Sequence, residues 1–372
     1  MSRLTNLPAI TFATADPDEM ETNAVAIMEG LLDRKIERAD PVRLFLKAFI
    51  SVIIQQRILI DYCAKQNLLA YATGDFLDHI GVLVGATRLP ASAATTTVEI
   101  TLSAERNKTT VIQQGTRVTA DDVINFSLDE AVIFLAGETV KTCSATCLTV
   151  GEVGNGFAIG EINHIVDPQP YLASIVNTTV SEGGADTEDD EAFRDRIQEA
   201  PESFSVAGPE GAYIFWTKSV SPLITSVSVE SENPGEVTIR ALLKGGEIPG
   251  DEMIADIQEM FDGQHRPLTD HVLVKQPTIV QYDISLRYYV ARSDAVNAVN
   301  IQAAADAAIS DYVEWQAEAL GRDINISELH HRIRDAGAKR VEISSPTFTV
   351  IDKNSVAKAQ NIEAVFAGIE DD

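Results

Sequence analysis

Apolar residues recur every three or four positions through residues 1–88, which is the spacing of amphipathic helices. The pair Asp16-Pro17 with Glu19 predicts the start of a first helix, because these residues supply an N-cap, a first-turn proline and a capping box. Asp40-Pro41 predicts a second start, and the apolar spacing continues from there toward Gly74 over roughly eight turns. The sequence therefore predicts an N-terminal helical arm that contains one long helix.

A short third helix is predicted next, because Asp75 and Asp78 are placed to cap the segment that follows them. The long second helix cannot bury its whole apolar stripe on two short neighbours. The stripe must then pack on the rest of the chain or on another protein. Its members are Phe45, Phe49, Val52, Ile53 and Ile60.

The pattern changes from helical spacing to alternation after Leu89-Pro90. Stretches such as TTTVEITLSA alternate apolar and polar positions, and Gly, Asn or Asp recurs about every ten residues. This pattern predicts a small antiparallel β domain over residues 89–180.

Helices and strands mix in the remainder of the chain. Residues 181–276 contain predicted helices near 188–199, 209–219 and 251–262, and predicted strands near Ile224–Val229, Val237–Leu243 and 271–276. Residues 277–372 contain an Ala-rich helix predicted from Asp294 to about Leu320 and a last strand near Ile362–Phe366. Helices mixed with antiparallel pairs predict two consecutive small α+β domains of the ferredoxin-like sandwich kind. Together with the arm and the β domain, they predict a multidomain α+β fold.

The stretch SEGGADTEDDEAFRDRIQ concentrates acidic residues at one place in the chain. A calcium loop that begins at Asp186 would need glycine at its sixth position and a glutamate at its twelfth, and neither is present. A capped helix fits better, with Thr187 as N-cap and Asp190 as its capping-box partner. Gly183-Gly184 would supply a backbone turn with positive φ before that helix.

Composition narrows the function classes. The chain has 45% hydrophobic and 23% charged residues and a net charge of −27. So acidic a surface repels phosphate backbones and argues against nucleic-acid binding. The most apolar segment, LFLKAFISVIIQQRILI, is interrupted by Lys47, Gln55, Gln56 and Arg57, and the first twelve residues lack the pattern of a secretory signal. We therefore expect a soluble protein without membrane insertion that is made in the cytoplasm.

The spacing of cysteine, histidine and glycine residues matches no catalytic or metal-binding motif. Cys143 and Cys147 lie in a predicted strand, about 13 Å apart, which favours two buried free thiols over a disulfide or a metal site. His330 and His331 diverge by about 100° on a predicted helix and cannot share a metal ion. The segment GEVGNGFAIG lacks the third glycine of a dinucleotide loop. The sequence therefore predicts no catalytic residue, no cofactor and no metal.

Six stretches follow one another along the chain: YATGDFLDHIGVLVGATRLPASAA, IQQGTRV, GEVGNGFAIGEI, EGGADTEDDEAFRDRI, NPGEVTIRAL and HRPLTDHVLVKQP. In this order they resemble the baseplate J family, the wedge proteins of contractile phage tails, tailocins and related contractile injection systems. Each stretch alone is a weak turn or cap motif, whereas six in order are specific, and they cover most of the chain from about residue 70 to 345.

The resemblance implies a structural scaffold and not an enzyme. Copies would pair as dimers within a sixfold ring around the central spike and tube, the C-terminal domain being the candidate for pairing. The N-terminal helices would bundle with other wedge proteins, with further contacts to spike or hub and sheath-initiating proteins. The chain would then be a component of the tail baseplate of the finished particle.

The resemblance also assigns expected roles to individual residues. Gly74 and Gly81 would help to end the helical arm, and Gly183, Gly184 and Thr187 would set the angle between domains. Candidate intersubunit contacts are the stripe on the second helix and the Ala-rich helix, the latter through Ile309 and Val313. The alternative is that both stripes belong to the core of the chain itself.

Two other functions stay open. The first is a cell-wall or polysaccharide hydrolase carried on the same particle, suggested only by the abundance of acidic residues. The second is an assembly chaperone that leaves before the particle is complete.

Overall fold

The computed structural model describes residue 4 and residues 7–205, 207–231, 233–263 and 265–371 of an α+β chain. The α-helices of this part are α1 (Pro17–Leu32), α2 (Pro41–Lys65), α3 (Asp75–Val82), α4 (Asp190–Glu199), α5 (Glu210–Lys218), α6 (Asp251–Asp262), α7 (Ala298–Ala317) and α8 (Ile326–Asp335). Its strands are β1 (Ala93–Leu102), β2 (Thr110–Ile112), β3 (Arg117–Thr119), β4 (Asn125–Leu128), β5 (Val132–Phe134), β6 (Val140–Val150), β7 (His164–Ile165), β8 (Leu172–Asn177), β9 (Ile224–Glu230), β10 (Glu236–Leu243), β11 (His271–Val274), β12 (Thr278–Ala291), β13 (Arg340–Ser345) and β14 (Ser355–Glu370).

The chain divides into two compact units. Unit one comprises residues 1–88 together with residues 189–200, and unit two comprises residues 89–188 together with residues 201–372. Helix α4 therefore belongs with the N-terminal helices, although it follows them by about a hundred residues. The four domain boundaries expected from the sequence, and the ferredoxin-like sandwich form, stay predictions.

The first helix of unit one begins as predicted. The Asp16 carboxylate accepts hydrogen bonds from the backbone N–H groups of Asp18 and Glu19, and Pro17 occupies the first turn. Helix α2 also begins as predicted, after its N-cap residue Asp40. In both cases a local signal, an acidic cap followed by proline, decides where the helix starts.

Helix α2 ends earlier than the sequence suggests, at Lys65 and not near Gly74. Gln66 is buried, and its side chain bonds the backbone carbonyl of Tyr71 and the backbone N–H of Thr73. These two bonds satisfy a turn that takes the place of the last two predicted helical turns. The N-cap of α3 is likewise Gly74, without a side-chain cap, and not Asp75.

The first part of unit two is a six-stranded sheet in the order β7-β3-β4-β6-β1-β8. Its neighbouring strands are antiparallel, as predicted. Strands β7 and β8 stand at the two ends of this order and lie near each other, so the sheet is nearly closed into a barrel. Its core includes Val98, Ile100, Phe126 and Ile175, all without exposed surface.

Two three-stranded sheets follow, in the orders β11-β10-β9 and β13-β12-β14. The prediction of antiparallel pairs is only half right, because β10–β11 and β12–β14 are parallel. A parallel pair needs a crossover connection, and α6 in the first sheet and α7 with α8 in the second supply it. The Ala-rich helix is also shorter than predicted, since residues Arg292–Asn297 form a 3-10 helix before α7 begins.

Candidate functional site

A broad apolar surface follows one side of α2. Of the 25 residues in this helix, only Ile50 is buried. At about 100° per residue, the predicted stripe falls within an arc of about 100°, and we call its members the arm face. Their exposed fractions are 61% for Phe45, 55% for Phe49, 55% for Val52, 45% for Ile53 and 56% for Ile60. The Phe45 and Phe49 ring centroids lie 4.7 Å apart, so the stripe is continuous at its N-terminal end.

Another side of α2 is bonded to α1 and to the segment before it. Arg43 donates to Glu21 of α1 at 2.7 Å, and Asp61 accepts from the backbone N–H of Phe12 at 2.7 Å. The hydrogen bond from Arg43 lowers the pKa of Glu21, which keeps that carboxylate ionised. Bonds within unit one thus involve only part of α2. The arm face is exposed, and so are four further apolar residues of the helix: Leu44, Ile58, Leu59 and Tyr62.

Three charged side chains and one backbone N–H group join α4 to α3. We call this cluster the clamp, and its residues are Gly74, Asp78, Arg88 and Asp190. The Asp190 carboxylate accepts from the backbone N–H of Gly74 at 3.1 Å and from Arg88 at 2.8 Å, and Arg88 also bonds Asp78 at 2.8 Å. Burial would raise the pKa of Asp190, but the bonds from Gly74 and Arg88 outweigh it and lower that pKa. The clamp therefore links two helices that are distant in sequence through an ionised carboxylate.

Helix α4 also packs on α3 and on the turn before it, beside the clamp. Phe193 of α4 is fully buried. A Cβ at Gly81 would lie 2.5 Å from a Phe193 ring carbon and 2.8 Å from the Ala86 carbonyl oxygen, so α3 and α4 meet where only glycine fits. Arg194 donates to the carbonyl oxygens of Leu69 and Ala72 at 2.8 and 2.7 Å. Gly81 therefore lets α4 pack closely on α3, and Arg194 bonds α4 to the turn that follows α2.

The helix cap in the acidic stretch differs from the prediction. Asp189 is the N-cap of α4, and its carboxylate accepts from the backbone N–H groups of Glu191 and Ala192. Thr187 lies two residues upstream and is exposed. The expected capping-box partner, Asp190, is instead drawn into the clamp by Gly74 and Arg88. A local rule placed the cap wrongly because a distant partner competes for the same carboxylate.

The predicted glycine turn lies in unit two. Gly183 has φ +86°, the left-handed region that the prediction required. Gly184 is constrained by contact, since a Cβ there would lie 2.5 Å from the Gly151 carbonyl oxygen. Asn155 bonds both the N–H and the carbonyl of Gly184, at 2.8 and 2.7 Å. The turn is therefore held against the barrel on both sides.

The two candidates on the Ala-rich helix lie at the core of the C-terminal sheet. Ile309 is 3% exposed among buried residues that include Tyr312 and Leu329, and Val313 packs against the same cluster. This placement matches the alternative left open for that stripe, an intramolecular core. Of the two predicted stripes, the arm face is the exposed one.

The cysteines stand as the sequence predicted. Cys143 and Cys147 lie on β6, both are buried, and all three cysteines of the chain are free thiols. Burial raises the pKa of the Cys143 thiol, which keeps it protonated and unreactive. Among the described residues, no group of three or more His, Cys, Asp or Glu side chains is placed to hold a metal ion. No helix in the described ranges has the length and apolar character needed to cross a membrane.

A cavity of ≈ 530 Å³ lies in unit two, between the barrel and the sheet of β9 to β11. Its lining includes Glu182, Glu247, Glu252 and Asp256 beside apolar residues. Desolvation, followed by the charges of Glu252 and nearby acids, raises the pKa of Glu182. Thr95 donates its hydroxyl to Glu252 at 2.6 Å. No spacing in the sequence predicts this cavity, because its walls come from five separate segments.

Family models match most of unit two. The baseplate J-like protein barrel domain matches residues 97–184, the baseplate J-like central domain matches 205–276, and the baseplate J-like C-terminal domain matches 282–365. The chain belongs to the baseplate J-like family. Unit one, which carries the arm face and the clamp, lies wholly outside the three matched segments.

Two individual proteins show how far the likeness extends. Baseplate protein J of Escherichia phage P2 is 31% identical over 177 residues, which is 47% of this baseplate J-like chain and 58% of the relative. The match therefore spans less than two thirds of that relative. The sixfold-symmetrised cryo-EM structure of the anti-feeding prophage baseplate has a chain with a TM-score of 0.43 and 12% identity, over 92% of this chain and 90% of that one.

Proposed function

We propose that this chain is a structural wedge subunit of the baseplate of a contractile tail or injection particle. It has no enzymatic role in this proposal, and it is assembled in the bacterial cytoplasm before it enters the finished baseplate. Membership of the baseplate J-like family supports the proposal, as does the baseplate protein J relative. Copies of the chain pair within a sixfold ring around the spike and tube.

The observation that carries the proposal is the arm face. Five large apolar side chains lie exposed along one stripe of α2, while Arg43 and Asp61 on another side of the same helix bond α1 and the backbone of Phe12. A stripe of this kind on a long helix is the usual surface for packing against other helices. The proposed partners of the arm face are the helices of other wedge proteins.

The test replaces one arm-face residue and measures incorporation into particles. Phe49→Asp places a charge at the centre of the stripe, and Gln55→Asp places the same charge on the same helix, outside the stripe. Sheathed particles from strains that carry each variant are analysed by quantitative mass spectrometry against the sheath and tube proteins. We expect the Phe49→Asp chain to be depleted at least about tenfold, because a buried charge costs several kcal/mol.

The Gln55→Asp chain should be incorporated like the unaltered chain. Equal incorporation of both variants would refute the role of the arm face. Both purified chains should also show unchanged circular dichroism, since the arm face contributes little to the core of unit one.

The two alternatives predict other outcomes. An assembly chaperone would be absent from intact particles, even with an unaltered arm face. A hydrolase would place its acid in the cavity of unit two, so Glu182→Gln would abolish turnover of cell-wall or polysaccharide substrates while incorporation survives. The structural proposal expects no turnover by the unaltered chain.

A further inference from the structure

The last strand of the chain has one open edge. Strand β14 pairs with β12 on one side only, and it stands at the end of the order β13-β12-β14. On the other side, Gly321 bonds the carbonyl of Ser355 at the start of the strand. Beyond that point, from Lys358 to Glu370, no other described residue forms a backbone ladder with it. About half of these residues direct their N–H and C=O groups away from β12, where a further strand could bind them.

Side chains along this edge are also uncovered. Ile362, Val365 and Ile369 are 53%, 42% and 43% exposed. A long edge with exposed aliphatic residues is a surface that folded proteins usually cover or interrupt. The other edge of the same sheet, β13, has only six residues and ends before Pro346. Of the two edges of this sheet, β14 is therefore much the longer.

The backbone of β14 is regular at its centre and interrupted on both sides. Residues 362–366 pair one for one with residues 284–288 of β12. One extra residue lies between Ala359 and Ile362, and another lies between Phe366 and Gly368. The two irregularities thus stand at nearly equal distances from Ala364, which is the middle of the regular segment.

This spacing makes the strand complementary to itself. If two copies of β14 run antiparallel with Ala364 opposite Ala364, regular segment meets regular segment and each irregularity meets the other. A partner strand without these irregularities would lose register after about three residues on either side. In such a pair Ile362 of one copy lies opposite Phe366 of the other, and Ala359 lies opposite Ile369, on the face that carries α7 and α8.

The charges agree with the same register. Lys358 has no ion pair within the described residues, and the pairing puts it opposite Glu370 of the other copy. Glu370 already binds Arg340 of its own chain, so the lysine would extend an existing charge pair. Glu363 lies opposite Val365, at the exposed face of the sheet, where a carboxylate stays hydrated. Such a pair of strands would contain two Lys–Glu contacts, although the whole chain carries a charge of −27.

We propose that β14 is the pairing surface between two copies of this chain, which join edge to edge in antiparallel fashion about Ala364 and make one continuous six-stranded sheet. The inference rests on the proposed function, in which copies of the chain pair within a ring. It goes further in naming the strand, its register and the contacts that select a second copy over another strand.

Cysteine cross-linking tests the register directly. In a background where the exposed Cys63 is replaced by serine, one preparation carries Glu363→Cys and a second carries Val365→Cys. These residues lie opposite each other only between copies, at a Cα separation of about 4.5–5.5 Å, which a disulfide can span. We expect a disulfide-linked dimer when the two preparations are mixed and oxidised, and little from either one alone. Absence of the dimer from the mixture, or equal amounts in all three samples, overturns the register.

Association in solution tests the surface. Sedimentation at increasing concentration should give a dimer, and hydrogen exchange should slow in peptides that cover residues 358–370. Ile362→Asp should raise the dimer dissociation constant at least about tenfold, because both symmetric contacts lose an apolar pair. The control is Ile133→Asp, since Ile133 is 51% exposed on β5, away from this sheet. The dimer dissociation constant of Ile133→Asp should equal that of the unaltered chain. An equal increase in both variants would contradict the proposal.

Sedimentation of the Phe49→Asp variant distinguishes a dimer formed through β14 from one formed through the arm face. The β14 dimer should persist in that variant, whereas a dimer that disappears would belong to the arm. These measurements need no particles, so the chain could be absent from particles while the dimer is real, or present while the dimer fails. Protection of residues 358–370 that appears only after another baseplate protein is added would replace the second copy by that protein and overturn the proposal.

Discussion

Removal of the Asp190 carboxylate should open unit one locally. In the clamp this group accepts bonds from the backbone N–H of Gly74 and from Arg88. Bonds to a charged group contribute about 1.5–3 kcal/mol each when buried. The Asp190 side chain is 33% exposed, so water replaces part of that contribution. We therefore expect Asp190→Ala to lower the free energy of local opening by about 2 kcal/mol for both bonds together.

Glu191 provides the matched control. It lies beside Asp190 in the first turn of α4, and its side chain is 87% exposed where it pairs with Arg194. Both substitutions remove one acid from the positive end of the helix dipole, an effect of about 0.3–1 kcal/mol that is common to the two. Glu191→Ala should therefore lower the free energy of local opening by less than Asp190→Ala does, and the difference should exceed about 1 kcal/mol.

Hydrogen exchange measured by mass spectrometry separates these outcomes. Peptides that cover residues 69–88 and 190–197 report on the clamp, and peptides from the barrel serve as an internal reference. Asp190→Ala should speed exchange in the first two regions more than tenfold, since about 1.4 kcal/mol is a factor of ten. Equal acceleration by Asp190→Ala and Glu191→Ala would refute the clamp and leave only the helix dipole.

The pH dependence has a definite sign. The folded pKa of Asp190 lies below its unfolded value, because the bonds from Gly74 and Arg88 outweigh the effect of burial. Such a carboxyl stabilises the fold above its unfolded pKa, near 4, and loses that contribution as the pH falls through the folded pKa. The difference between the unaltered chain and Asp190→Ala should be constant between about pH 6 and 8 and shrink below about pH 4. A difference that grows with acid would contradict this sign.

Three further predictions follow from packing. Gly81→Ala should destabilise unit one by about 1–3 kcal/mol in urea denaturation, because its Cβ has no room, whereas Gly30→Ala, which has open space around it, should be neutral or stabilising. In the native chain a thiol reagent should label Cys63 quickly and the two β6 cysteines only after unfolding; fast labelling of all three would contradict their burial. Ile309→Ala should cost about 2–4 kcal/mol in denaturation, and Phe49→Ala should cost less than about 1; similar values would contradict their assignment to core and surface.

Local signals in the sequence predicted those elements whose ends depend on neighbouring residues. Helix α6 occupies residues 251–262 as predicted, because its apolar spacing is sufficient to define it. Helices α1 and α2 begin at their Asp-Pro pairs for the same reason. Strand β1 and the burial of the β6 cysteines likewise follow from alternation alone.

Partners that are distant in the chain decided the rest. Asp190 bonds Gly74 and Arg88 instead of capping its own helix, and no local rule contains that information. Strand β14 extends far beyond the predicted Ile362–Phe366 because β12 supplies a parallel ladder for its whole length. The acidic cavity draws its walls from separate segments of unit two, so it could not be predicted from spacing. The arm face was predictable as a stripe, but only the structure shows that the chain leaves it exposed.

The central claim is that the chain is a fixed part of a baseplate, and counting it in particles tests that claim most directly. Sheathed particles purified from the producing strain would be digested, and this chain would be quantified against the sheath and tube proteins with labelled peptide standards. The account predicts a low and constant number of copies, consistent with pairs in a sixfold ring. Absence of the chain from intact particles, or a number that varies between preparations, would contradict it.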